Sequence, residues 1–182
     1  GSNAALLVLA DGDATVSTDG RYITQMANES PDLPTVIDRS CAVALLRRAT
    51  GRVGFEAEHV TVAAREGWDA ELSGTHFAAT SKIVEVLRVV KDAEELACLA
   101  TACAITDAAF ADLVQTGLIG LSEKQIARRL EGLMFDHGAD GLSFESIVAS
   151  GEHSAIPHHD STNRVLASGD FIKLEFEPKT NA

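Results

Sequence analysis

Short apolar runs alternate with amphipathic stretches over residues 1–80, and this pattern predicts a small α/β sandwich. The run 5–9 is apolar throughout and ends at Asp-Gly-Asp, while 15–18 alternates in polarity, so together they predict a β-hairpin. Trp68 lies on the apolar face of a predicted helix, where a packing role is expected. The other elements predicted here are strands at 35–37 and 52–56, and helices at 42–48, capped by Ser40, and at 59–72.

Helical patterns dominate from residue 81 onward. A helix is predicted from Ser81, and Asp92 followed by two glutamates is typical of the cap and first turn of a second, longer helix. Ser122 and Gln125 form the spacing of a capping box and predict a third. Apolar runs at 147–149 and 171–176 then predict two strands. Buried positions expected on the long helix are Leu96, Leu99, Cys103, Phe110 and Leu113.

A weak connector at 73–80 separates the two patterns, so we predict two domains, 1–80 and 81–182. The net charge of −12 argues against nucleic acid and against an anionic membrane surface as partners, because phosphates would be repelled. No apolar run is seen to approach the roughly 20 residues that span a bilayer, so a soluble, globular chain is expected. The three cysteines have no C-x-x-C spacing and are expected to be small buried thiols in a reducing cytoplasm.

Candidate chemistry is concentrated between Val148 and Phe176, in the segment VASGEHSAIPHHDSTNRVLASGDFIKLEF. A polar loop carrying His158 and His159 joins the two predicted strands, and Glu175 lies within the second strand. Imidazole titrates nearest neutral pH and is a common metal ligand. An acid within an apolar strand is costly to bury unless it is paired or bound to a cation. The segment therefore predicts a functional site.

The residues alone leave plainer interpretations open for this segment. His158 and His159 could be surface-loop histidines, since adjacent positions do not form the i, i+4 pair of a helical zinc site. Glu175 shares a strand face with Lys173, which is what a solvent-facing edge would show. His153 and Asp160 are interpreted as peripheral. Outside the segment, His76 is interpreted as structural or exposed and His137 as a favourable charge at a helix end.

This segment resembles the start of the catalytic domain of Xaa-Pro dipeptidases and aminopeptidases, the prolidase branch of the pita-bread metallopeptidases. The likeness lies in A-S-G, then P-H-H, then G-D and an apolar strand with an acid 17 residues after His158. R-V-V-K-D-A-E-E-L at 88–96 resembles the family's entrance to that domain, and T-D-G-R-Y at 18–22 resembles its N-terminal domain. Gly1–Ala4 also resembles that domain. Arg21 is interpreted as a surface or dimer-interface cation.

The resemblance implies the fold class α/β followed by α+β: a creatinase/prolidase-like N-terminal domain and the first half of a pita-bread domain. It also implies two divalent metal ions, Mn, Co or Zn, with Glu175 as a ligand where the family has Asp. His158 and His159 would contact an Xaa-Pro dipeptide or short peptide, whose amide bond before proline is hydrolysed. A homodimer is expected because a truncated sheet would leave edge strands that need another chain, and the cysteines indicate the cytoplasm.

The family's remaining metal ligands have no counterpart in these 182 residues, so the resemblance implies a chain truncated at both ends. One carboxylate cannot hold two divalent ions, and we therefore expect the fragment to be inactive by itself. The alternative is a non-catalytic binding or dimerisation module derived from the same family. A third hypothesis is that the chain is an unrelated cytosolic α/β enzyme.

Overall fold

The computed structural model describes residues 3–180, and the chain divides into two compact units, Gly1–Val89 and Val90–Ala182. Gly1 and Ser2, which belong to the N-terminal resemblance, lie outside the described residues. The domain boundary placed at residues 80 and 81 stays a prediction.

The first sheet of unit 1 has the strand order β1-β2-β3. The antiparallel pair β1 (Ala4–Val8) and β2 (Ala14–Thr18) confirms the predicted hairpin, and β3 (Thr35–Ile37) runs parallel to β2. Helix α1 (Ile23–Glu29) precedes β3, and α2 (Cys41–Leu46) follows it and packs on this sheet. Ser40 is the N-cap residue of α2 as predicted, although its side chain makes no capping hydrogen bond.

A second, parallel pair of strands completes the sheets of unit 1. Strands β4 (Arg52–Glu56) and β5 (His76–Thr80) are joined by α3 (Val62–Glu71). The helix begins later than predicted because the Thr61 hydroxyl caps it by accepting from the amide of Ala64. The Trp68 ring packs against the rings of Phe55 and Phe77, at 6.0 and 5.7 Å between centroids, which agrees with its expected packing role.

Among the described residues, β1 and β4 each have a strand partner along one edge only. Residues of both strands line one cavity of about 280 Å³, which also contacts Trp68. Strand β1 leaves Leu6 and Val8 exposed and carries no charged side chain along this edge. Such an edge lacks the charges and prolines that usually prevent strand pairing with another chain. The last helix of the unit, α4 (Ile83–Val89), also exposes its apolar side chains.

Unit 2 is built on two helices with local capping signals. Asp92 caps α5 (Ala93–Gln115) and Ser122 caps α6 (Glu123–Asp136), and both form the reciprocal bonds of a capping box. Both helix starts are confirmed. The helices pack on one core whose buried members include Ile105, Ala109, Leu113, Ile126, Leu130, Met134 and Val148.

The strands of unit 2 form two antiparallel pairs. β6 (Gly141–Leu142) pairs with β9 (Pro178–Lys179), and β7 (Ile147–Ser150) pairs with β8 (Ile172–Glu175). A 3₁₀ turn, Gly151–Ala155, follows β7. The β7–β8 pair positions the candidate site at its end, with Ile147 opposite Glu175.

The expected burial along α5 is corrected by the structure. Its core face is Ile105, Ala109 and Leu113, whereas Leu96, Leu99 and Phe110 are about half exposed. Of the cysteines, Cys41 is buried, Cys98 half-buried and Cys103 exposed, and all three are free thiols, so the expectation of buried thiols is wrong for Cys103.

Within the described residues, α5 is long and apolar enough to cross a membrane by length and composition alone. The sequence-based prediction that no apolar stretch approaches this length overlooked α5, because Asp107 and Asp112 interrupt its apolar run. A single such helix is weak evidence, since a core helix of a soluble protein passes the same test.

Candidate functional site

The strand that carries Glu175 has one face on the core and one face away from it. Ile172, Leu174 and Phe176 pack against the core of unit 2. Because side chains alternate along a strand, Lys173 and Glu175 point to the opposite face. Glu175 is exposed, and its carboxylate is therefore free of the apolar core.

His158, His159 and Glu175 line one cavity of about 860 Å³. The loop that follows β7 brings both histidines to this cavity, and the end of β8 supplies the acid. The structure thus brings the three sequence-predicted residues to one place. Asp160 also lines the cavity, as do Lys124, Arg128, Glu131 and Glu145.

Lys173 holds the loop immediately before His158. Its ammonium group donates hydrogen bonds to the carbonyl oxygens of Ile156 at 2.6 Å and Pro157 at 2.9 Å. Glu175 on this face is exposed, in agreement with the solvent-facing interpretation, while Lys173 on the same face also binds the loop. His158 itself is exposed, so its imidazole is accessible from the cavity.

His159 is buried and is held by a carboxylate that the sequence did not indicate. Its Nε2 lies 2.9 Å from Oε2 of Glu123, and Nδ1 of His153 lies 3.0 Å from the other oxygen, Oε1. The two rings are 4.5 Å apart between centroids. His153 is therefore part of this cluster, which corrects its interpretation as peripheral.

Glu123 is completely buried at the first position of α6 and accepts six hydrogen bonds. Besides the two imidazoles, Ser150 donates its N–H and hydroxyl to Oε1, both at 2.8 Å. Thr162 donates its N–H and hydroxyl to Oε2 at 2.9 and 2.7 Å. Burial by itself raises the pKa of the Glu123 carboxyl, but the bonds from His159, Thr162 and Ser150 outweigh it. The pKa is thus held well below its ordinary value, and Glu123 is ionised.

An ion pair supports the loop from its far end. Arg164 binds both oxygens of Asp170, at 2.7 and 3.1 Å, and donates to the Ser150 hydroxyl at 2.7 Å. The Arg164 guanidinium lowers the pKa of Asp170 to about 2. Gly151 has φ +53°, and a Cβ there would meet the guanidinium of Arg164, with Cζ at 2.9 Å. Only glycine fits this position without displacing the pair.

The other predicted positions lie apart from this cavity. His76 is exposed on β5, in agreement with its interpretation. His137 forms the C-cap of α6, with Nε2 2.8 Å from Oδ2 of Asp112. Arg21 binds Asp19 through its guanidinium and lowers the pKa of that carboxyl, so it has a local ion pair in unit 1.

The donor set around Glu175 does not fit a two-ion centre. Within residues 3–180, the groups of His, Cys, Asp and Glu close enough to share an ion are Glu123 with His153 and His159, and Glu56 with His59 and Glu85. Glu175 belongs to neither group. Glu131, Glu145 and Asp160 also line the cavity, but no group of three or more candidate ligands within residues 3–180 includes Glu175, and two divalent ions need several shared ligands.

Comparison with known families matches almost the whole chain in two pieces. Residues 1–90 match the creatinase/prolidase N-terminal domain, and residues 97–182 match metallopeptidase family M24. The predicted fold class, an N-terminal domain of this type followed by part of an M24 catalytic domain, is confirmed.

Similar proteins carry peptidase names. An uncharacterized peptidase, YqhT of Bacillus subtilis, is 31% identical over 96% of this chain and 51% of its own. Among solved structures, an Xaa-Pro dipeptidase from Bacillus anthracis superposes with a TM-score of 0.87 at 30% identity, covering 98% of this chain and 51% of its own. An X-Pro aminopeptidase from Thermotoga maritima gives a TM-score of 0.84 at 29% identity over the same shares.

The chain spans about half the length of these relatives. The likeness nevertheless runs through both matched pieces, from the first sheet to the β7–β8 pair. Residues 1–90 therefore belong to the creatinase/prolidase N-terminal domain family, and residues 97–182 belong to metallopeptidase family M24.

Proposed function

We propose that this chain is part of a metal-dependent peptidase that hydrolyses the amide bond before proline in dipeptides or short peptides. The observation that carries the proposal is that His158 and Glu175 line one cavity, although they come from separate segments. The names of the similar Xaa-Pro dipeptidase and X-Pro aminopeptidase support the same substrate class. His158 and His159 remain the proposed catalytic histidines, with Glu175 as the proposed metal ligand.

The chain's own contribution to this chemistry is an oriented imidazole. His158 is exposed to the cavity, while its neighbours on both sides are held, Pro157 by Lys173 and His159 by Glu123. An imidazole fixed in this way can donate a hydrogen bond to the oxygen of a scissile carbonyl or transfer a proton to the leaving nitrogen. Its position is set before a peptide arrives, which lowers the entropic cost of reaction.

The proposed metal ions need ligands in addition to Glu175. In the proposal the intact site takes two divalent ions, manganese, cobalt or zinc, which would supply a Lewis acid and an activated water. Glu175 would hold one of them, and its side chain is one methylene longer than the aspartate of the family. Glu175 belongs to neither of the groups of three candidate ligands within residues 3–180, so the proposal assigns the metal no further ligand there.

The proposal predicts that residues 1–182 alone bind fewer than two equivalents of Mn²⁺, Co²⁺ or Zn²⁺ and do not hydrolyse Xaa-Pro dipeptides. Elemental analysis after dialysis and a proline-release assay measure both quantities. Two bound equivalents together with turnover would contradict the predicted inactivity of this chain.

The activity itself is tested in a chimera. Residues 1–176 are joined to the part of the Bacillus subtilis relative that the present chain does not span. We expect the chimera to cleave Ala-Pro in preference to Ala-Ala and to lose about 10²-fold or more in kcat when His158→Ala is introduced. A folded, metal-loaded chimera that cleaves neither dipeptide would overturn the proposed function.

A non-catalytic binding or dimerisation module is the second candidate. Two observations favour it: Glu175 belongs to no group of three candidate ligands within the described residues, and the open edge of β1 carries no charged side chain. A strand edge without protective charges pairs readily with another chain, so we propose a cytoplasmic homodimer in either case. Light scattering of the purified chain distinguishes a dimer from a monomer. A folded, dimeric chimera that cleaves neither Ala-Pro nor Ala-Ala would favour the module.

A further inference from the structure

A single buried side chain, that of Glu123, joins the two ends of the loop between β7 and β8. Ser150 ends β7 before the loop and Thr162 follows it, and each gives its backbone N–H and its hydroxyl to one oxygen of Glu123. The carboxylate thus ties both ends of loop 151–161 to the start of α6. The donors lie 27 to 39 residues from Glu123 in sequence, so the contact is tertiary.

The same carboxylate determines which nitrogens of two imidazoles carry protons. An ionised carboxylate can only accept hydrogen bonds, so the ring nitrogens that face it must be protonated. His153 therefore carries its proton on Nδ1 and His159 on Nε2. When the rings are neutral, the two histidines are opposite tautomers, with Nε2 of His153 and Nδ1 of His159 left as acceptors.

The cluster is joined to the exposed imidazole of the cavity by one peptide bond. His159 is buried on Glu123, and the next residue toward the N-terminus, His158, is exposed in the cavity with Glu175. A shift of the backbone at His159 would therefore also displace His158. A buried side-chain network of this kind holds a loop in one conformation when every member is satisfied.

We propose that Glu123 is a positioning residue. Its carboxylate joins the two ends of loop 151–161 and fixes the tautomers of His153 and His159, and it thereby determines where His158 lies in the cavity. The use of that position in hydrolysis rests on the proposed function. The positioning itself is measurable without any reaction, so its failure and the failure of the proposed function are distinguishable.

A bound cation is the competing explanation for the same three side chains, because Glu123, His153 and His159 are close enough to share an ion. The hydrogen bonds favour the positioning role. Each oxygen of Glu123 already accepts three donors, and an ion would displace the ring protons that face it. Adding Zn²⁺ to the protein tests this directly.

The experiment records imidazole ¹H–¹⁵N long-range spectra and amide hydrogen exchange of the ¹⁵N-labelled 182-residue chain. The wild type is expected to show His153 protonated on Nδ1 and His159 on Nε2, without change on addition of Zn²⁺. In Glu123→Gln one carboxylate oxygen becomes an NH₂ group, which cannot accept from the imidazole N–H that faces it. The imidazole on that side is therefore expected to move its proton to its other nitrogen. Exchange of loop 151–161 should rise at least about tenfold, as expected for the loss of a charged hydrogen bond.

Glu145→Gln is the matched control, since it removes the same charge from an exposed residue of the cavity and should leave both tautomers and the loop exchange unchanged. Thr162→Val removes only one hydroxyl donor and should loosen the loop to a smaller degree, which keeps the test informative if Glu123→Gln does not fold. Unchanged tautomers and exchange in the folded Glu123→Gln variant, or in Thr162→Val if the first does not fold, would overturn the proposal. So would Zn²⁺-dependent shifts of His153 and His159 in the wild type.

Discussion

The ammonium group of Lys173 donates a hydrogen bond of 2.9 Å to the carbonyl oxygen of Pro157, the residue before the exposed imidazole of the cavity. A second bond of 2.6 Å reaches the carbonyl of Ile156. Lys173 therefore connects the strand that carries Glu175 to the loop that carries His158. Both candidate residues are held on one frame from the face of β8 that points away from the core.

Lys173→Met tests this connection, because methionine keeps most of the aliphatic stem and loses both donors. We expect faster amide exchange at 156–159 and a loss of about 1 kcal/mol in the free energy of unfolding of unit 2, since the bonds are partly exposed. Hydrogen-exchange mass spectrometry measures both. Lys179→Met on β9 is the control and should leave the exchange of the loop unchanged. Equal exchange in the two variants would contradict the role of Lys173.

Local rules predicted much of the frame around the site. The N-cap at Asp92 and the capping box at Ser122 were readable because all their partners lie within four residues in sequence. The two strands before and after the His158 loop were predicted from apolar runs bounded by turn residues. These features depend on short-range contacts, which a linear sequence displays.

The burial of Glu123, at the centre of the histidine cluster, could not be predicted in the same way. An acid directly after an N-cap is ordinary on an exposed first turn, so Glu123 carried no signal of complete burial. Its burial depends on donors from Ser150 and Thr162, which only the fold brings to it. The apolar surface of α5 shows the reverse case: periodicity gave apolar positions, but Leu96 and Phe110 stay exposed because no described residue covers them fully.

Gly151→Ala is expected to destabilise unit 2 by about 1–3 kcal/mol, because φ is +53° and the new Cβ would meet Arg164 within its ion pair with Asp170. Amide exchange of α6 in the native state reports this free energy. Gly169→Ala separates strain from steric conflict, since Gly169 also has positive φ, at +90°, but open space around a Cβ. The cost at Gly151 should exceed the cost at Gly169. Similar costs would show that the arginine moves aside freely.

Asp170 should make the stability of unit 2 depend on pH in the acid range. Its folded pKa is about 2 because Arg164 stabilises the charged form, whereas the unperturbed value is 3.8. A depressed folded pKa means that the stabilisation is complete above about pH 4 to 5 and is lost as pH falls toward 2. The low pKa of Glu123 acts in the same direction.

Asp170→Asn should therefore reduce the pH dependence of unfolding between about pH 4.5 and 2.5, measured by urea titration with far-UV circular dichroism at several pH values. Asp107→Asn, on the exposed side of α5, is the control and should retain the slope of the wild type. An unchanged slope in Asp170→Asn would show that the Arg164 pair does not persist in solution.

The two adjacent histidines should differ sharply in what their removal costs. His158 is exposed, so His158→Ala is expected to change the free energy of unfolding by no more than about 0.5 kcal/mol. His159 is 7% exposed and donates to Oε2 of Glu123 at 2.9 Å, so His159→Ala removes a donor from a buried carboxylate. A loss of about 1–3 kcal/mol follows from the unsatisfied charge.

Urea titration of the two variants and the wild type, at pH 7 and equal ionic strength, gives the comparison. His159→Gln is the informative companion variant, because its amide group can restore a donor to Glu123 and should recover part of the loss. The difference assigns the neighbours separate tasks: a stable His158→Ala protein leaves that imidazole free for the substrate, while His159 holds the loop. Equal losses of unfolding free energy in the two alanine variants would contradict these separate roles of His158 and His159.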